Sequence, residues 1–396
     1  MLKALQSWID ARFPLTSTWK NHVSEYYAPK NLNFFYIFGA LALLIFVNQL
    51  LTGLWLTMFY TPNAKLAFDS VEGIMRDVNY GWLFRYMHST GASFFFIVIY
   101  MHMFRGMMYG SYQKPRELVW LIGMGLFLLL MAEAFFGYLL PWGQMSFWGA
   151  QVITSLFSAV PVIGNKLVIW IRGDYTVANA TLQRFFALHV VGIPMLMAAL
   201  VYFHIIALHK VGSNNPEGVE IDKHKDGIPF HPYYTVKDLM WGIGFFKLFF
   251  AVVFYAPVMG GYFLEADNFT KANSLVTPSH IAPVWYMTPF YAMLRAVPDK
   301  LLGVLVMGSA IAILFMLPWL DRSKVRSIRY KGRWSKLALS LFVMAFVTLA
   351  CLGTMPVTPF RYMVAKIATF TYFSFFIFMP WYSSREKTLL PPEVVR

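Results

Sequence analysis

The stretch RYMHSTGASFFFIVIYMHMFR, residues 85–105, places two histidines, His88 and His102, fourteen residues apart in an otherwise apolar segment. In an α-helix, fourteen residues return a side chain to within roughly 40° of its starting direction and advance it by about 21 Å along the axis. One helix would therefore present two imidazoles to the same neighbour, at two depths.

A second segment, RFFALHVVGIPMLMAALVYFHIIALHK at residues 184–210, carries His189 and His204 fifteen residues apart. As a regular helix it would offset these side chains by roughly 60° and separate them by about 22 Å along the axis. Two such helices side by side form two pairs, His88 with His189 and His102 with His204. Because ionisable groups inside a membrane are costly and commonly functional, four histidines with this spacing indicate ligands.

Each pair supplies two nitrogen ligands in apolar surroundings, with no carboxylate nearby in sequence. This pattern favours haem iron with two axial histidines over zinc, which takes four ligands. The single cysteine, Cys351, excludes an internal disulfide and a C-x-x-C-H attachment motif, so any haem is held without thioether bonds. For a lone histidine the ordinary alternative is a hydrogen-bonded packing role.

Composition places the chain in a membrane. Of its 396 residues 58% are hydrophobic and 13% are charged, and apolar runs of about 20 residues, long enough to span the hydrocarbon core, recur along it. The net charge of +14 does not favour nucleic-acid binding, because membrane proteins carry lysines and arginines in their loops as topology signals. We expect an all-α integral membrane protein.

Eight transmembrane helices are predicted, and most of the 33 lysines and arginines fall on the side of the two termini. The positive-inside rule then places both termini in the cytoplasm. Spans two and four run in the same direction, so the His88/His189 pair lies near the outer face and the His102/His204 pair near the inner face. The predicted spans are about 33–59, 82–104, 118–139, 180–208, 236–257, 288–318, 336–355 and 362–381.

Three parts follow from this topology. Residues 1–31 are predicted to form a basic amphipathic segment on the membrane surface, without a signal-peptide pattern. Residues 32–210 form a four-helix domain that holds the histidines. Residues 211–396 form a second four-helix domain with a long outer loop, and short amphipathic helices lie on the surface.

Glycines in the first and third spans repeat at the histidine period: Gly39 and Gly53 are fourteen residues apart, and so are Gly123 and Gly137. Glycine in a membrane helix commonly allows close packing of another helix. Because the period matches, we predict instead that these glycines leave room for two flat macrocycles. The first four spans would then form a dihaem four-helix bundle.

Polar and aromatic loops predict two further sites. Two aromatic loops, residues 138–153 and 277–291, lie on the outer face beside the His88/His189 pair, which indicates a site for an apolar aromatic ligand. At the inner ends of spans four and five, proton-exchanging groups come together, for which ordinary interfacial polarity is the alternative. These groups are His209, Ser213, Lys237 and Asp238.

Four motifs resemble cytochrome b of the respiratory quinol:cytochrome c oxidoreductase, the bc complex. The resemblance runs in order from about residue 20 to the last span, and the ten-residue PWGQMSFWGA is highly specific. The motifs are RYMH at 85–88, PWGQMSFWGA at 141–150, GSNNP at 212–216 and FHPYY at 230–234.

The resemblance implies a subunit with two non-covalent haem b groups, acting on ubiquinone or menaquinone in a bacterial inner membrane. Quinol would be oxidised at the outer site, with one electron passing to a Rieske iron-sulfur subunit. The other would pass to a low-potential haem on His88 and His189, then to a high-potential haem on His102 and His204, and finally to quinone at the inner site. Proton release outside and uptake inside would generate a proton-motive force.

The resemblance also implies partners and residue roles. The partners are the Rieske subunit and a membrane-anchored c-type cytochrome, in a homodimeric complex. Arg85 and Arg105 would pair with haem propionates, since a guanidinium matches a carboxylate in two places. The outer quinol site would contain Tyr138, Gly149, Tyr286 and Tyr291, and the inner quinone site His209, Ser213, Lys237 and Asp238.

Two departures from the family pattern stand out. The outer-site motif is usually Pro-Glu-Trp-Tyr, but here Val284 occupies the glutamate position and cannot accept a proton. We hypothesise that Glu265 or Asp267, in the same loop, replaces it. The fifteen-residue spacing in the second histidine segment differs from the fourteen of many mitochondrial members and resembles some bacterial and photosynthetic relatives.

Two other classes of protein remain open from the sequence. A dihaem b membrane anchor of another quinone-linked oxidoreductase would explain the histidines, but such anchors lack the two aromatic outer loops. A transporter with a histidine proton relay would contain no haem. It would leave the glycine period unexplained.

Overall fold

The computed structural model describes residues 1–20, 24–393 and 395. Residues 21–23 of the predicted surface segment, and residues 394 and 396 at the end of the predicted C-terminal domain, lie outside the described residues. The described chain is mainly helical, with one two-stranded sheet formed by β1 (Tyr27–Pro29) and β2 (Gly227–Pro229).

The α-helices are α1 Leu2–Asp10, α2 Leu15–Trp19, α3 Phe38–Thr57, α4 Ala67–Arg76, α5 Gly81–Tyr109, α6 Glu117–Leu139, α7 Gln144–Leu156, α8 Gly164–Arg172, α9 Asn179–Ala187, α10 Ile193–Val211, α11 Thr235–Tyr255, α12 Thr288–Arg295, α13 Lys300–Phe315, α14 Leu317–Leu320, α15 Arg333–Gly353, α16 Pro359–Ile377 and α17 Met379–Arg385. Shorter 3₁₀ turns lie at Phe34–Tyr36, Phe157–Ala159, Met259–Gly261, Ala266–Phe269 and Trp285–Met287, and π turns at Leu188–Gly192 and Phe230–Tyr234.

Six continuous helical runs within the described residues are long and apolar enough to cross a membrane. They coincide with the first five predicted spans and with the seventh. The eighth predicted span consists of α16 and α17, which meet at a bend of 51°, where Pro380 at the start of α17 interrupts the hydrogen-bond ladder. The six runs are Phe34–Thr57, Gly81–Tyr109, Glu117–Leu139, Asn179–Val211, Phe230–Tyr255 and Arg333–Gly353.

The prediction of one continuous sixth span at 288–318 is wrong. The region divides into α12 and the 16-residue α13, with residues 296–299 between them. Pro298 cannot continue a helix without losing a hydrogen bond, and the Asp299 carboxylate starts the next one by accepting from the Leu302 amide at 2.8 Å. At 16 residues, α13 is shorter than the usual membrane span of about 20.

The fourth span also differs from the regular helix predicted for residues 184–210. A π turn, Leu188–Gly192, joins α9 to α10 and contains His189. Pro194, which follows, has no amide hydrogen to donate into this turn. Because a π turn takes up one extra residue, the fifteen-residue spacing to His204 does not produce the predicted 60° offset.

The end of the predicted surface segment is part of the fold. Helices α1 and α2 are largely exposed, but β1 pairs antiparallel with β2, with Ala28 opposite Ile228, and Ala28 is 1% exposed. The Tyr234 hydroxyl donates to the Pro29 carbonyl at 2.5 Å. The segment preceding the first span is therefore fixed against the start of α11.

Polar side chains join α3 to α5 at the level of the first histidine. The Gln49 amide donates to the His88 carbonyl at 2.9 Å, and the Asn48 amide donates to the Met87 carbonyl at 3.3 Å. Hydrogen bonds between apolar helices have few competitors in a membrane, so they fix the register of the two helices. In the C-terminal half, α15 packs against α12 and α16.

The loop of residues 138–153 packs directly against residues 268–272, which precede the second aromatic loop. The backbone N–H of Gln144 donates to the Thr270 carbonyl at 3.0 Å, and the backbone N–H of Ala272 donates to the Trp142 carbonyl at 3.0 Å. A β-carbon at Gly143 would lie 2.4 Å from the Asn268 carbonyl oxygen, so only glycine permits this approach. These contacts hold the loop of residues 256–287 over the outer end of α6.

Candidate functional site

The four histidines face each other in two pairs. The ring centres of His88 and His189 are 6.0 Å apart, and those of His102 and His204 are 6.4 Å apart. Metal–imidazole nitrogen bonds are about 2 Å long, and the rest of each separation is the distance from nitrogen to ring centre. Each pair therefore leaves room for one metal ion between its two imidazoles.

Each histidine also lies against one of the four glycines. In a residue other than glycine, the β-carbon would approach the imidazole Cε1, so a side chain would displace the ring. The distances from such a β-carbon to Cε1 are 2.4 Å for Gly137 and His189, 3.0 Å for Gly53 and His88, 3.3 Å for Gly39 and His102, and 3.3 Å for Gly123 and His204.

The two arginines predicted to pair with a cofactor have unused hydrogen-bonding capacity. Arg105 places one terminal nitrogen 3.3 Å from His102 Nδ1, and its Nε is buried without a hydrogen-bond partner among the described residues. Arg85 lines a cavity beside His88, and no described residue forms a hydrogen bond or ion pair with it. A guanidinium in an apolar interior requires an anion, which suits the acidic side groups of a haem.

A cavity of about 400 Å³ extends from the outer histidine pair to the outer loops. Its walls are mostly apolar, and it brings together predicted residues that lie far apart in the chain. The predicted residues that line it are Gly53, Arg85, His88, Gly137, Tyr138, His189, Val284 and Tyr286. A ligand bound between the loops would therefore lie beside the outer histidine pair.

The outer-site tyrosines have different positions. Tyr286 is buried and stacks on Phe96 with ring centres 3.9 Å apart. Tyr291 lies outside the cavity wall, and its hydroxyl donates to the Ile281 carbonyl at 3.1 Å. A β-carbon at Gly149 would lie 3.8 Å from the Tyr138 ring, so Gly149 borders that ring and does not line the cavity itself.

Glu265, and not Asp267, is in contact with this outer site. The Tyr138 hydroxyl donates to the Glu265 carboxylate at 2.7 Å, whereas Asp267 is exposed. Burial raises the pKa of Glu265 to about 7, and the hydrogen bond from Tyr138 opposes part of that rise. A carboxyl group with this pKa exchanges protons near neutral pH.

At the inner face, the segment that precedes α3 contacts two of the predicted inner-site residues, His209 and Lys237. The His209 imidazole stacks on Tyr26 with ring centres 4.3 Å apart and planes at 13°. The Lys237 ammonium donates to the Leu32 carbonyl at 2.9 Å. Asp238 follows in the first turn of α11 and is half-buried.

The structure does not join all four inner residues by direct contacts. Ser213 donates to the neighbouring Asn214 carbonyl at 3.1 Å, and the histidine and lysine contacts described above go to the N-terminal segment. This segment therefore completes the inner surface, which the sequence did not indicate.

The sequence also did not indicate two residues that contact the histidines, Glu133 and Thr52. Glu133 Oε1 lies 3.0 Å from His189 Nδ1, and the Thr52 hydroxyl lies 3.0 Å from His88 Nδ1. A signal existed for Glu133, because it is a carboxylate in an apolar helix, one turn before Gly137 and on the same face. Arg116 is 4% exposed and donates to the Gly212 carbonyl at 3.0 Å.

The fold and these sites define a multi-pass helical membrane protein with paired histidines spaced to hold metal cofactors. Two family models match it in succession: Cytochrome b/b6/petB over residues 23–212, and Cytochrome b(C-terminal)/b6/petD over residues 271–373.

Curated relatives and a solved structure agree with these matches. Cytochrome b of Allochromatium vinosum is 61% identical over 98% of this chain and 97% of its own length. Cytochrome b of Rickettsia prowazekii is 50% identical over 98% and 96%. A solved chain described as "Hyperthermophilic respiratory Complex III" superposes with a TM-score of 0.90 at 38% identity, covering 95% of this chain and 98% of that one. The chain belongs to the cytochrome b family, and haem b binding and a role in electron transport follow from that membership.

Proposed function

We propose that this chain is the haem-carrying, quinone-binding subunit of a quinol:cytochrome c oxidoreductase. The observation that carries the proposal is the single cavity that connects the His88/His189 pair with Tyr138, Val284 and Tyr286. An electron donor bound there would be adjacent to the first cofactor. The similarity to a chain of respiratory Complex III supports the same assignment.

Haem b groups would be held by His88 with His189 and by His102 with His204. The glycines facing the histidines would leave room for the macrocycles, and Arg85 and Arg105 would bind their propionates. When bound, the haems supply a one-electron relay from the outer to the inner site. The histidine positions along α5, about 21 Å apart in height, span much of the membrane.

At the outer site, apolar walls would bind the quinol ring and exclude water. Val284 and Tyr286 line the cavity, and Tyr138 holds Glu265 at its edge by the 2.7 Å hydrogen bond. Glu265 would accept a quinol proton through Tyr138, in the role that Val284 cannot perform. Of the two electrons released, one would leave to a Rieske subunit and one to the relay within this chain.

At the inner site, quinone would bind near the ends of α10 and α11. His209 and Asp238 would hydrogen-bond the quinone oxygens, with Ser213 nearby, and Lys237 would help to supply protons from the cytoplasmic side. The stack of Tyr26 on His209 would fix the imidazole orientation. Proton uptake here and release outside would produce a proton-motive force.

The proposal includes the arrangement of the chain in the membrane. Residues 32–210 would form the dihaem domain and residues 211–396 the second domain, in keeping with the two family-model matches. Eight spans, counting α13 and the bent pair α16–α17 as one each, would put both termini on the same side, and the positive-inside rule makes that side the cytoplasm of a bacterium. The partners would be a Rieske protein, a membrane-anchored c-type cytochrome and a second copy of the whole complex.

Haem quantitation with quinol-dependent reduction tests the proposal. The purified native complex should contain two b-type haems per copy of this chain, and added quinol should reduce them. Ubiquinol and menaquinol, compared in parallel, would identify the substrate. An intact complex with one haem or none, or with haems that quinol does not reduce, would overturn the assignment. A dihaem anchor would be favoured if quinol reduced both haems but cytochrome c was never reduced.

A further inference from the structure

Glu133 contacts one of the four paired histidines directly. His189 Nδ1 lies 3.0 Å from the Glu133 backbone carbonyl oxygen and 3.0 Å from its carboxylate Oε1. The two side chains are 15% and 17% exposed. Glu133 also lines the outer cavity, and its other carboxylate oxygen, Oε2, is buried without a hydrogen-bond partner among the described residues.

This contact has a defined chemical consequence when His189 binds a metal. An imidazole that coordinates through Nε2 carries its proton on Nδ1, so that nitrogen must donate a hydrogen bond. A carboxylate acceptor fixes the ring orientation and makes the imidazole a stronger electron donor. The negative charge also stabilises the oxidised cofactor more than the reduced one, which lowers its midpoint potential.

Among the described residues, no carboxylate lies at the Nδ1 of the other three histidines, and His204 Nδ1 is buried without a hydrogen-bond partner. His88 Nδ1 lies 3.0 Å from the Thr52 hydroxyl, and His102 Nδ1 lies 3.3 Å from the Arg105 guanidinium. Arg85 also lines the outer cavity, but a propionate would neutralise it. The carboxylate beside His189 therefore distinguishes the outer pair from the inner pair.

We propose that Glu133 is a positioning residue for the outer haem: its carboxylate orients His189 and keeps the midpoint potential of that haem below the potential of the inner haem. The inference rests on the proposed function, because it requires haem on His88 and His189.

Potentiometric titration of the b haems in the intact complex tests this inference. In Glu133→Gln, the amide keeps the side-chain shape and an acceptor oxygen but removes the charge. We expect the equilibrium constant for reduction of the outer haem to rise by about tenfold, or about 59 mV for a one-electron couple, with the inner haem unchanged. The low-spin ferric EPR signal of the outer haem should shift as well. Asp174→Asn, at an exposed carboxylate in the loop before α9, is the matched control and should leave both potentials unchanged.

The outcomes separate this inference from the proposed function. If Glu133→Gln retains both haems and the outer potential and EPR signal do not move, the inference is wrong and the proposed function stands. Equal shifts of both potentials would also contradict it. In Glu133→Ala the shift should be larger, and Glu133→Asp should recover part of the wild-type potential. Absence of haem from the wild-type complex would instead overturn the proposed function.

Discussion

The outer and inner histidine pairs occupy the same scaffold but differ in their surroundings. Both pairs are carried by α5 and by the helical run that contains α9 and α10. Around the outer pair, a β-carbon at the facing glycines would lie 2.4 and 3.0 Å from the imidazoles, against 3.3 Å for both inner glycines. The outer pair has a carboxylate at one Nδ1 and opens into the large cavity, whereas one Nδ1 of the inner pair lies 3.3 Å from a guanidinium nitrogen. Spacing along the helices thus sets where two cofactors would bind, and the neighbouring polar groups make the two proposed sites different.

The largest effect is expected from removing the proton acceptor on the outer side. Glu265→Gln should lower the rate of quinol oxidation by about 10²-fold or more, the contribution typical of a positioned acid or base. With a pKa of about 7, the Glu265 carboxyl is ionised and accepts protons above that pH and is protonated below it. Wild-type activity should therefore fall as the pH drops through about 7, and the variant should lose this dependence.

Steady-state reduction of cytochrome c by quinol, measured on both sides of pH 7, checks this prediction. Asp267→Asn is the matched comparison, because Asp267 is two residues away but exposed, and it should behave as wild type. Unchanged activity and pH dependence in Glu265→Gln, with both haems in place, would remove Glu265 from the mechanism. A loss of activity in Asp267→Asn alone would favour the other carboxylate.

The second effect concerns the space at the two cofactor sites. Gly137→Ala places a β-carbon 2.4 Å from His189 Cε1, so the imidazole must move, whereas Gly123→Ala leaves 3.3 Å to His204. Overpacking of this kind costs about 1–3 kcal/mol, so the outer haem should be bound about 5- to 150-fold more weakly in the first variant. The second variant should lose less of the inner haem.

Haem content per chain, resolved by the spectra of the two haems, measures this difference. Gly125→Ala, in the same helix and facing Leu200 at 3.6 Å, controls for the effect of a methyl group in α6. Equal loss of both haems in the Gly137 and Gly123 variants would show that the difference in clearance has no consequence.

The smallest effect is expected at the inner face. Tyr26→Leu removes the ring that stacks on His209, and such stacks contribute about 0.5–1.5 kcal/mol. Quinone reduction at the inner site should slow by several-fold, with quinol oxidation at the outer site unchanged. Tyr26→Phe keeps the ring and should retain the wild-type rate.

The rate at which quinone reoxidises the b haems, with the outer site inhibited, provides the measurement. If Tyr26→Phe is as slow as Tyr26→Leu, the hydroxyl and not the stack is responsible. If neither variant changes the rate, the N-terminal segment has no part in the inner site.

Much of the fold could be predicted from the sequence because membrane spans and ligand spacing leave regular patterns. The apolar runs indicated α3, α5, α6 and α11, and the fourteen-residue glycine period predicted that the glycines lie at the depths of the histidines, which they contact. The break between α12 and α13 was harder to predict. Pro298 and the Asp299 cap both mark it, but Val297 and Pro298 continue an apolar stretch that has the length of a membrane span. The π turn at Leu188–Gly192 has no pattern of its own, so the predicted offset of His189 was wrong.

The candidate sites were predictable only in part. Histidines and glycines stand out by their period, but Glu133 is a single carboxylate whose role depends on which residue of another helix it faces. Likewise, Glu265 and Asp267 are equivalent in sequence, and only burial and the contact with Tyr138 distinguish them. The contact of Tyr26 with His209 joins residues that are far apart in the chain, which no local pattern reveals.

Potentiometric titration of the intact complex from wild type, His189→Leu and His102→Leu tests the central claim most directly. The account predicts two one-electron b haems in wild type. His189→Leu should remove the centre of lower potential and His102→Leu the centre of higher potential. Loss of the same centre in both variants, or loss of the higher-potential centre in His189→Leu, would contradict the paired-ligand account and the electrostatic difference between the two sites.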